Sequence, residues 1–449
     1  MRRAALLALC AGGCGGATGT IGLELVTAPG STVLADVTRA RLTLSTPPTV
    51  VDATRGPDGK FHLAIDVVAE GPSGTLTFEG WDASDALVAI GRTPALPVAA
   101  IDAQVAIYVA APDSLAAAPV TLDPPRTAVG TAAYPFGVMV AGGRDGAGAA
   151  SDAVAIYNVF THAWQIGVDL PAPRVAPTIG ASSSGYAYLL GGDDASGAPT
   201  GTLWRYDTTA APAGAVLALA DLPTVARTAA PIALVRSEGF IVGGAPPLVI
   251  DGLTRTLTAA PSLPPLAGAA ASVVVATDGV DALHALFVGD GSGTSGVVRI
   301  AADGATDEAS APASARRTGH GAVALGDGRV IIIGGAVGGA PVASAIVASP
   351  ASHLYVEQPA VLDTPRTNAA IAASGGVLVV AGGTDASGAI VPTAELLDLT
   401  TLAHRATVPM VVPRTGAVAR PLDDGQVLIV GGTDAAGAPV GVVELFTPR

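Results

Sequence analysis

Short apolar runs closed by paired glycines set the rhythm of this chain. Such runs end at Gly142-Gly143, Gly191-Gly192, Gly243-Gly244, Gly334-Gly335, Gly382-Gly383 and Gly431-Gly432, and Leu286-Phe287-Val288-Gly289-Asp290 is a degenerate seventh instance. Successive first positions lie 45 to 52 residues apart, so a unit of roughly fifty residues repeats. Within a unit the pattern changes from strand to strand. Segment 367–373 is rich in Ala and Thr. Val330–Ile333 and Val377–Ala381 are continuous apolar runs, as expected of strands covered on both faces, and Ala394-Glu395-Leu396-Leu397 alternates. A fourth strand leads into the next unit. The runs are short, flanked by Gly and Pro, and lack a 3.6-residue period, so the high alanine content does not argue for helix.

An arginine stands 16 or 17 residues before each intact doublet: Arg126, Arg174, Arg227, Arg317, Arg366 and Arg414. Several doublets are followed by a turn with Asp and then Gly, as in Asp145/Gly148, Asp194/Gly197, Asp385/Gly388 and Asp434/Gly437. A further strand then ends in a polar turn, as at Tyr157-Asn158 with Thr161 and Trp164, Tyr206-Asp207, and Leu397-Asp398 with Thr401 and His404. This order resembles the kelch repeat over about three-quarters of the chain. The resemblance implies four-stranded sheets repeated radially, hence an all-β, seven-bladed kelch-type β-propeller over 112–449. The last unit stops after its third strand, and segment 117–124 matches the Leu362-Asp363-Thr364-Pro365 that precedes Arg366. That segment is expected to close the last blade and remove its free edge.

Residues 21–111 carry no doublets. Alternating runs at 21–26, 37–44, 61–68, 75–81, 86–91 and 104–109 are separated by turn signals at Pro47-Pro48, Gly56-Pro57-Asp58-Gly59 and Pro72-Ser73-Gly74. They predict a small immunoglobulin-like β-sandwich without the cysteine pair of antibody domains.

The N-terminus opens with Met1-Arg2-Arg3, an apolar run and small residues, the parts of an export signal. Both cysteines, Cys10 and Cys14, lie in it. The segment 1–14 resembles a bacterial lipoprotein signal. The resemblance implies lipidation of Cys14, which follows Gly12-Gly13, and anchorage to the outer membrane; secretion is the alternative. A chain matured at Cys14 keeps no further thiol for a disulfide or a thiolate site.

The formal charge is −14, with 37 acidic against 23 basic residues, which argues against a nucleic-acid partner. The six histidines (His62, His162, His284, His320, His353, His404) show no metal-pair spacing. No Gly-x-Ser-x-Gly elbow or phosphate-cradling loop is present, and Lys60 is the single lysine. The galactose oxidases share a kelch propeller, but their copper site needs a cysteine cross-linked to tyrosine, which a mature chain without thiol cannot supply. No metal and no cofactor are expected. The turn aspartates read as caps of their own backbone.

The six arginines are the candidate ligand-binding residues. Strand alternation puts them on the same blade face as the doublet turns. There they form a ring of forks for carboxylate or phosphate, or bond local carbonyls and acids such as Glu395 and Glu444. The expected function is that of a non-enzymatic, monomeric interaction module recognising a protein or glycan on a propeller face. The alternative is a carbohydrate-acting hydrolase, lyase or epimerase at the same mouth, which requires convergent titratable groups along the channel.

Overall fold

The computed structural model describes residues 6–8, 22–46, 48–56, 61, 73–96, 104–222, 224–230, 232–236, 238–243, 248–259, 272–277, 283–288, 297–301 and 304–449. Almost everything described is strand or turn, with two single-turn 3-10 segments as the only helix among these residues.

From Gly130 onward, four-stranded antiparallel sheets follow one another. Sheet I comprises Gly130–Tyr134, Gly137–Ala141, Val154–Asn158 and Ala163–Ile166. Sheet II comprises Thr178–Ala181, Tyr186–Leu190, Leu203–Asp207 and Ala215–Ala218. Sheet III comprises Ile232–Arg236, Gly239–Val242, Leu248–Asp251 and Thr256–Ala259. Sheet IV comprises Ser272–Thr277, Leu283–Val288, Val297–Ala301 and Gly304–Asp307. Sheet V comprises Gly321–Ala324, Val330–Ile333, Ala345–Ser349 and Leu354–Gln358. Sheet VI comprises Ala370–Ser374, Val377–Ala381, Thr393–Asp398 and His404–Pro409. Sheet VII takes Val418–Pro421, Val427–Val430 and Val442–Thr447 from the chain end and Ser114–Thr121 from far upstream, with Thr447 opposite Ser114 and Val442 opposite Thr121.

The first strand of each sheet touches the first strand of the next, and the first strand of sheet VII touches that of sheet I. Burial is greatest on the second strands, one step out from this inner contact. The second strands are wholly buried in sheets I, V, VI and VII, whereas the outer strands Ala215–Ala218 and His404–Pro409 are largely exposed. The apolar layers lie between neighbouring sheets. Met139, Ile156, Leu189 and Trp204 pack between I and II, and Val140, Tyr157, Leu428 and Leu445 pack between VII and I. Each fully buried aliphatic side chain of this kind is worth about 1.5–3 kcal/mol.

The described residues before Ser114 form two further sheets. One runs Pro48–Thr54, Arg39–Ser45, Leu76–Trp81, Leu87–Arg92, all antiparallel; the other pairs Leu6–Ala8 with Gly22–Val26, and Gly22–Val26 in parallel with Gln104–Tyr108. Leu25, Leu42, Phe78 and Ile107 fill their core. Pro47-Pro48 reads as a break in sequence, yet Pro48 opens a strand. It stands at the first residue of an edge strand, a place where proline's missing N–H removes no ladder bond. The strand expected at 61–68 lies, apart from Phe61, outside the described residues.

This unit touches sheets I and VII at the ends remote from the glycine doublets. The Ala106 N–H donates to the Phe160 carbonyl at 2.7 Å, and the Tyr108 hydroxyl donates to the Ala117 carbonyl at 2.7 Å.

The doublets explain their glycines. Gly382 has φ +65°, and a Cβ there would stand 2.2 Å from the Arg414 carbonyl oxygen; Gly388 has φ +83° but faces open space. Gly388→Ala should therefore cost only the left-handed backbone penalty, about 1–2 kcal/mol. Gly382→Ala should cost at least twice as much in urea unfolding. Equal losses for the two variants would contradict the close approach.

Candidate functional site

The six repeated arginines are buried to 7% exposure or less, and their guanidinium groups turn onto their own sheets. Arg126 donates from Nη1 to the Gly142 and Ala153 carbonyls, both at 2.7 Å. Arg227 donates to Gly243 O at 2.8 Å. Arg317 donates to Gly334 O at 3.0 Å and Ser344 O at 3.1 Å. Arg366 donates to Gly382 O at 3.3 Å and Thr393 O at 3.0 Å, and Arg414 to Gly431 O at 3.3 Å and Val442 O at 2.6 Å. Arg174 is the variant: it reaches Pro173 O and the Thr202 hydroxyl and lies over the Trp204 ring at 4.6 Å.

The backbone completes a strap between sheets. The second glycine of a doublet donates its N–H to the carbonyl of the next arginine: Gly143 to Arg174, Gly192 to Arg227 and Gly335 to Arg366 at 2.8 Å, and Gly383 to Arg414 at 3.0 Å. Each of these arginines thus gathers one sheet through its side chain and accepts from the preceding sheet through its main chain.

Two of the arginines carry a buried acid. Arg366 pairs with Glu395, and Arg414 with Glu444 at 2.5 Å. Glu395 also accepts the N–H groups of Asp363 and Thr364, and Glu444 those of Val411 and Val412. Burial pushes both guanidinium groups below their ordinary pKa, and the neighbouring carboxylates draw them back. Asp363, Glu395 and His404 bring ligand atoms within 4.8 Å of one another. Glu395 is already committed to Arg366 and two backbone donors, so this group is a hydrogen-bonded knot.

The turn aspartates cap their own loops. Asp145 accepts from Ala147 and Ala149, Asp194 from Ser196 and Ala198, Asp385 from Ser387 and Ala389, and Asp434 from Ala436 and Ala438. The Asp290–Thr294 stretch, Lys60, His62, Cys10 and Cys14 lie outside the described residues.

The inner strands surround a cavity of about 360 Å³. Its wall includes Thr131 of sheet I, Thr178 and Ile179 of sheet II, Ile232 of sheet III, Ile371 of sheet VI and Arg420 of sheet VII, with His320 just ahead of the first strand of sheet V. Small and aliphatic side chains make up most of the remainder, and no carboxylate is among the described residues of this wall. His320 is buried. Burial holds it down to about 3, the nearby Arg317 charge adds to this, and a hydrogen bond with the Arg317 backbone opposes it, so the ring is neutral at pH 7. Arg420 also lines the second cavity, of about 340 Å³, toward the opposite end of the inner strands, and so stands between the two.

No family model and no curated protein matches this chain. Among solved structures it is similar to a fungal alcohol oxidase of the AA5 family in complex with copper, at 17% identity and a TM-score of 0.57, over 73% of this chain and 75% of that one. It is also similar to YjhT at 13% identity and a TM-score of 0.48, over 73% and 97% of the two chains. The sheets and the likeness to the oxidase fit a β-propeller. At this identity the likeness concerns the fold alone.

A second polar cluster, which no sequence signal marked, sits where the N-terminal unit meets sheets I and VII. Its two local pairs, Tyr157 with His162 and Asp424 with Gln426, are distant from each other in sequence. His162 and Asp424 are fully buried, with Nε2 and Oδ2 3.9 Å apart. His162 Nδ1 bonds the Tyr157 hydroxyl at 2.9 Å and its ring lies 5.7 Å from that of Tyr108; Asp424 accepts the Gln426 N–H at 2.9 Å. Burial raises Asp424 to about 7, with Asp423 adding to it and Arg92 opposing, and burial lowers His162 to about 3. His162 is thus neutral at pH 7 and Asp424 becomes neutral as the pH falls below 7, which removes the cost of an unpaired buried charge there.

Two outcomes follow. Arg366→Ala strands the buried Glu395 carboxylate and should cost about 3–5 kcal/mol, while Arg366→Ala with Glu395→Ala should recover part of that loss in a double-mutant cycle. Additive losses would mean that the two side chains are not coupled. A pKa of Asp424 raised on folding gives stability that is full below about pH 4 and lost as pH rises through 7. Asp424→Asn should therefore gain on the order of 2 kcal/mol over the parent at pH 8 and lose that advantage near pH 4. Parallel stability profiles for the two proteins would show that Asp424 does not titrate this way.

Proposed function

We propose that this chain is an exported binding module built on a seven-bladed kelch-type β-propeller, recognising a protein or glycan partner on the face that carries the doublet turns. In this reading, sheets I to VII are the blades, 112–449 is the propeller, and 21–111 is an immunoglobulin-like sandwich serving as spacer and dock. The segment 1–14 is an export signal that leaves Cys14 lipidated and the protein anchored to the outer membrane.

The observation that carries the reading is the character of the channel wall. It holds small and aliphatic side chains, hydroxyls, one arginine and one histidine held neutral, a lining suited to holding a ligand. A proton-transfer site would call for titratable groups poised near the working pH. The placement of the N-terminal unit supports the choice of face. It meets the ends of sheets I and VII remote from the doublets through Phe160 and the Asp424 cluster, and the exposed turn tips at 145–149 and 434–438 stay on the other side. Loops carried at one end of a rigid scaffold are where such folds place recognition. The repeated arginines then serve recognition indirectly, by fixing the turns.

Screening the purified protein against glycan, cell-wall and envelope-protein arrays should return a partner. Ala147→Arg and Ala436→Arg change exposed turn tips whose side chains hold nothing in place, and should weaken that binding at least tenfold with unchanged thermal unfolding. Full affinity in both variants would move the site off this face. Turnover of a carbohydrate in the same screen would replace the reading with an enzyme.

A further inference from the structure

Each strap arginine makes at least one guanidinium hydrogen bond of 3.0 Å or less. Arg420 has none as short among the described residues. It stands on the innermost strand of sheet VII, half-buried and facing the channel. Its two described hydrogen bonds are at the outer limit of length, 3.4 Å to Ala419 O and 3.5 Å to Thr131 O. Burial alone lowers it, and no carboxylate among the described residues draws it back. A guanidinium carries five donors in a fixed fork, so most of this one's capacity is unspent.

A second observation points to the same place. Thr131, on the neighbouring innermost strand of sheet I, is 5% exposed and lines the same cavity, and its hydroxyl has no hydrogen-bond partner. A buried hydroxyl left without a partner costs about 1–3 kcal/mol. Arg420, with spare donors, and Thr131, whose buried hydroxyl is unsatisfied, thus both line a cavity of about 360 Å³, inside the range of about 300–1,000 Å³ typical of small-molecule sites.

We propose that the channel is a binding site for a compact organic monocarboxylate, held by the Arg420 fork and the Thr131 hydroxyl. The charge count selects the class. Arg420 is the one cationic side chain of the described wall, and His320 is neutral at pH 7. A carboxylate matches a single guanidinium in bidentate geometry, whereas a phosphate dianion would keep an uncompensated charge beside the one cation of the described wall. The body of the ligand meets aliphatic surface from Pro177, Ile179, Ile232 and Ile371, which favours an apolar body over a heavily hydroxylated one. The net charge of −14 opposes long-range attraction of any anion, so affinity comes from the fork at close range. This site lies inside the channel and does not depend on the macromolecular partner proposed above.

The test is calorimetric titration of the full chain with a series of monocarboxylates from acetate through isobutyrate to cyclohexanecarboxylate. Isobutyramide serves as the neutral isostere and inorganic phosphate as the dianion. The acids should bind, with affinity rising with apolar size, at least tenfold above isobutyramide and above phosphate. Arg420→Gln should reduce acid affinity at least tenfold and leave the amide unchanged. Thr131→Val, which removes only the hydroxyl, should reduce it about threefold and keeps the test decisive if the arginine variant fails to fold. Equal binding of acid and amide, tighter binding of phosphate, no binding by any acid of the series, or undiminished acid binding in Thr131→Val together with Arg420→Gln would overturn the proposal. Loss of partner binding in an array would leave it untouched.

Discussion

The structure depends on a guanidinium that cannot reach water. In a repeat of short strands, the carbonyls at the doublet turns end their ladders without partners, and an unpaired buried carbonyl is costly. The strap arginines supply donors there, from a residue 16 or 17 positions upstream. The same residue's backbone carbonyl accepts from the preceding doublet. The doublet must be glycine because its φ is positive and because the next arginine's carbonyl lies where a side chain would begin. Arginine and glycine pair are two halves of one contact, which accounts for their joint recurrence where the strands between them vary freely.

That contact decides what the arginines can do. On sequence alone a ring of forks on one face suits an anionic ligand as well as it suits a framework. Burial separates the two roles. With exposures between 0% and 7%, and with Glu395 and Glu444 closing two of the pairs, these donors are committed to the fold. Arg420, the cation of the described cavity wall, is not committed in this way. It belongs to no repeat: its equivalents on the other innermost strands are small or apolar side chains such as Ala372. A periodic residue reports on what every sheet needs, and a singular one reports on what one place needs.

The legibility of the sequence follows the same division. Strand pattern, unit length and the upstream arginines are local and repeated, so Val330–Ile333 and Val377–Ala381 stand in the structure at the bounds their apolar runs suggest. The aspartate caps were legible for the same reason, since an Asp before Gly bonds its own turn. The strand Pro48–Thr54 was hidden because Pro48 looks like a break, and only the sheet edge makes it admissible. The Asp424–His162 cluster and the Arg420–Thr131 pair were hidden for a different reason. Thr131 and Arg420 lie almost three hundred positions apart and meet only because the innermost strand of sheet VII returns beside that of sheet I. No spacing rule encodes that meeting; topology does.

Hydrogen exchange at the doublets tests the strap most directly. The N–H groups of Gly143, Gly192, Gly335 and Gly383 sit in turns, where amides ordinarily exchange fast. If each is bonded to the following arginine's carbonyl, as its 2.8–3.0 Å distance requires, all four should exchange as slowly as the wholly buried second strands and open only with global unfolding. Exchange at the rate of the exposed turn tips a few residues later would show that the sheets are not joined this way.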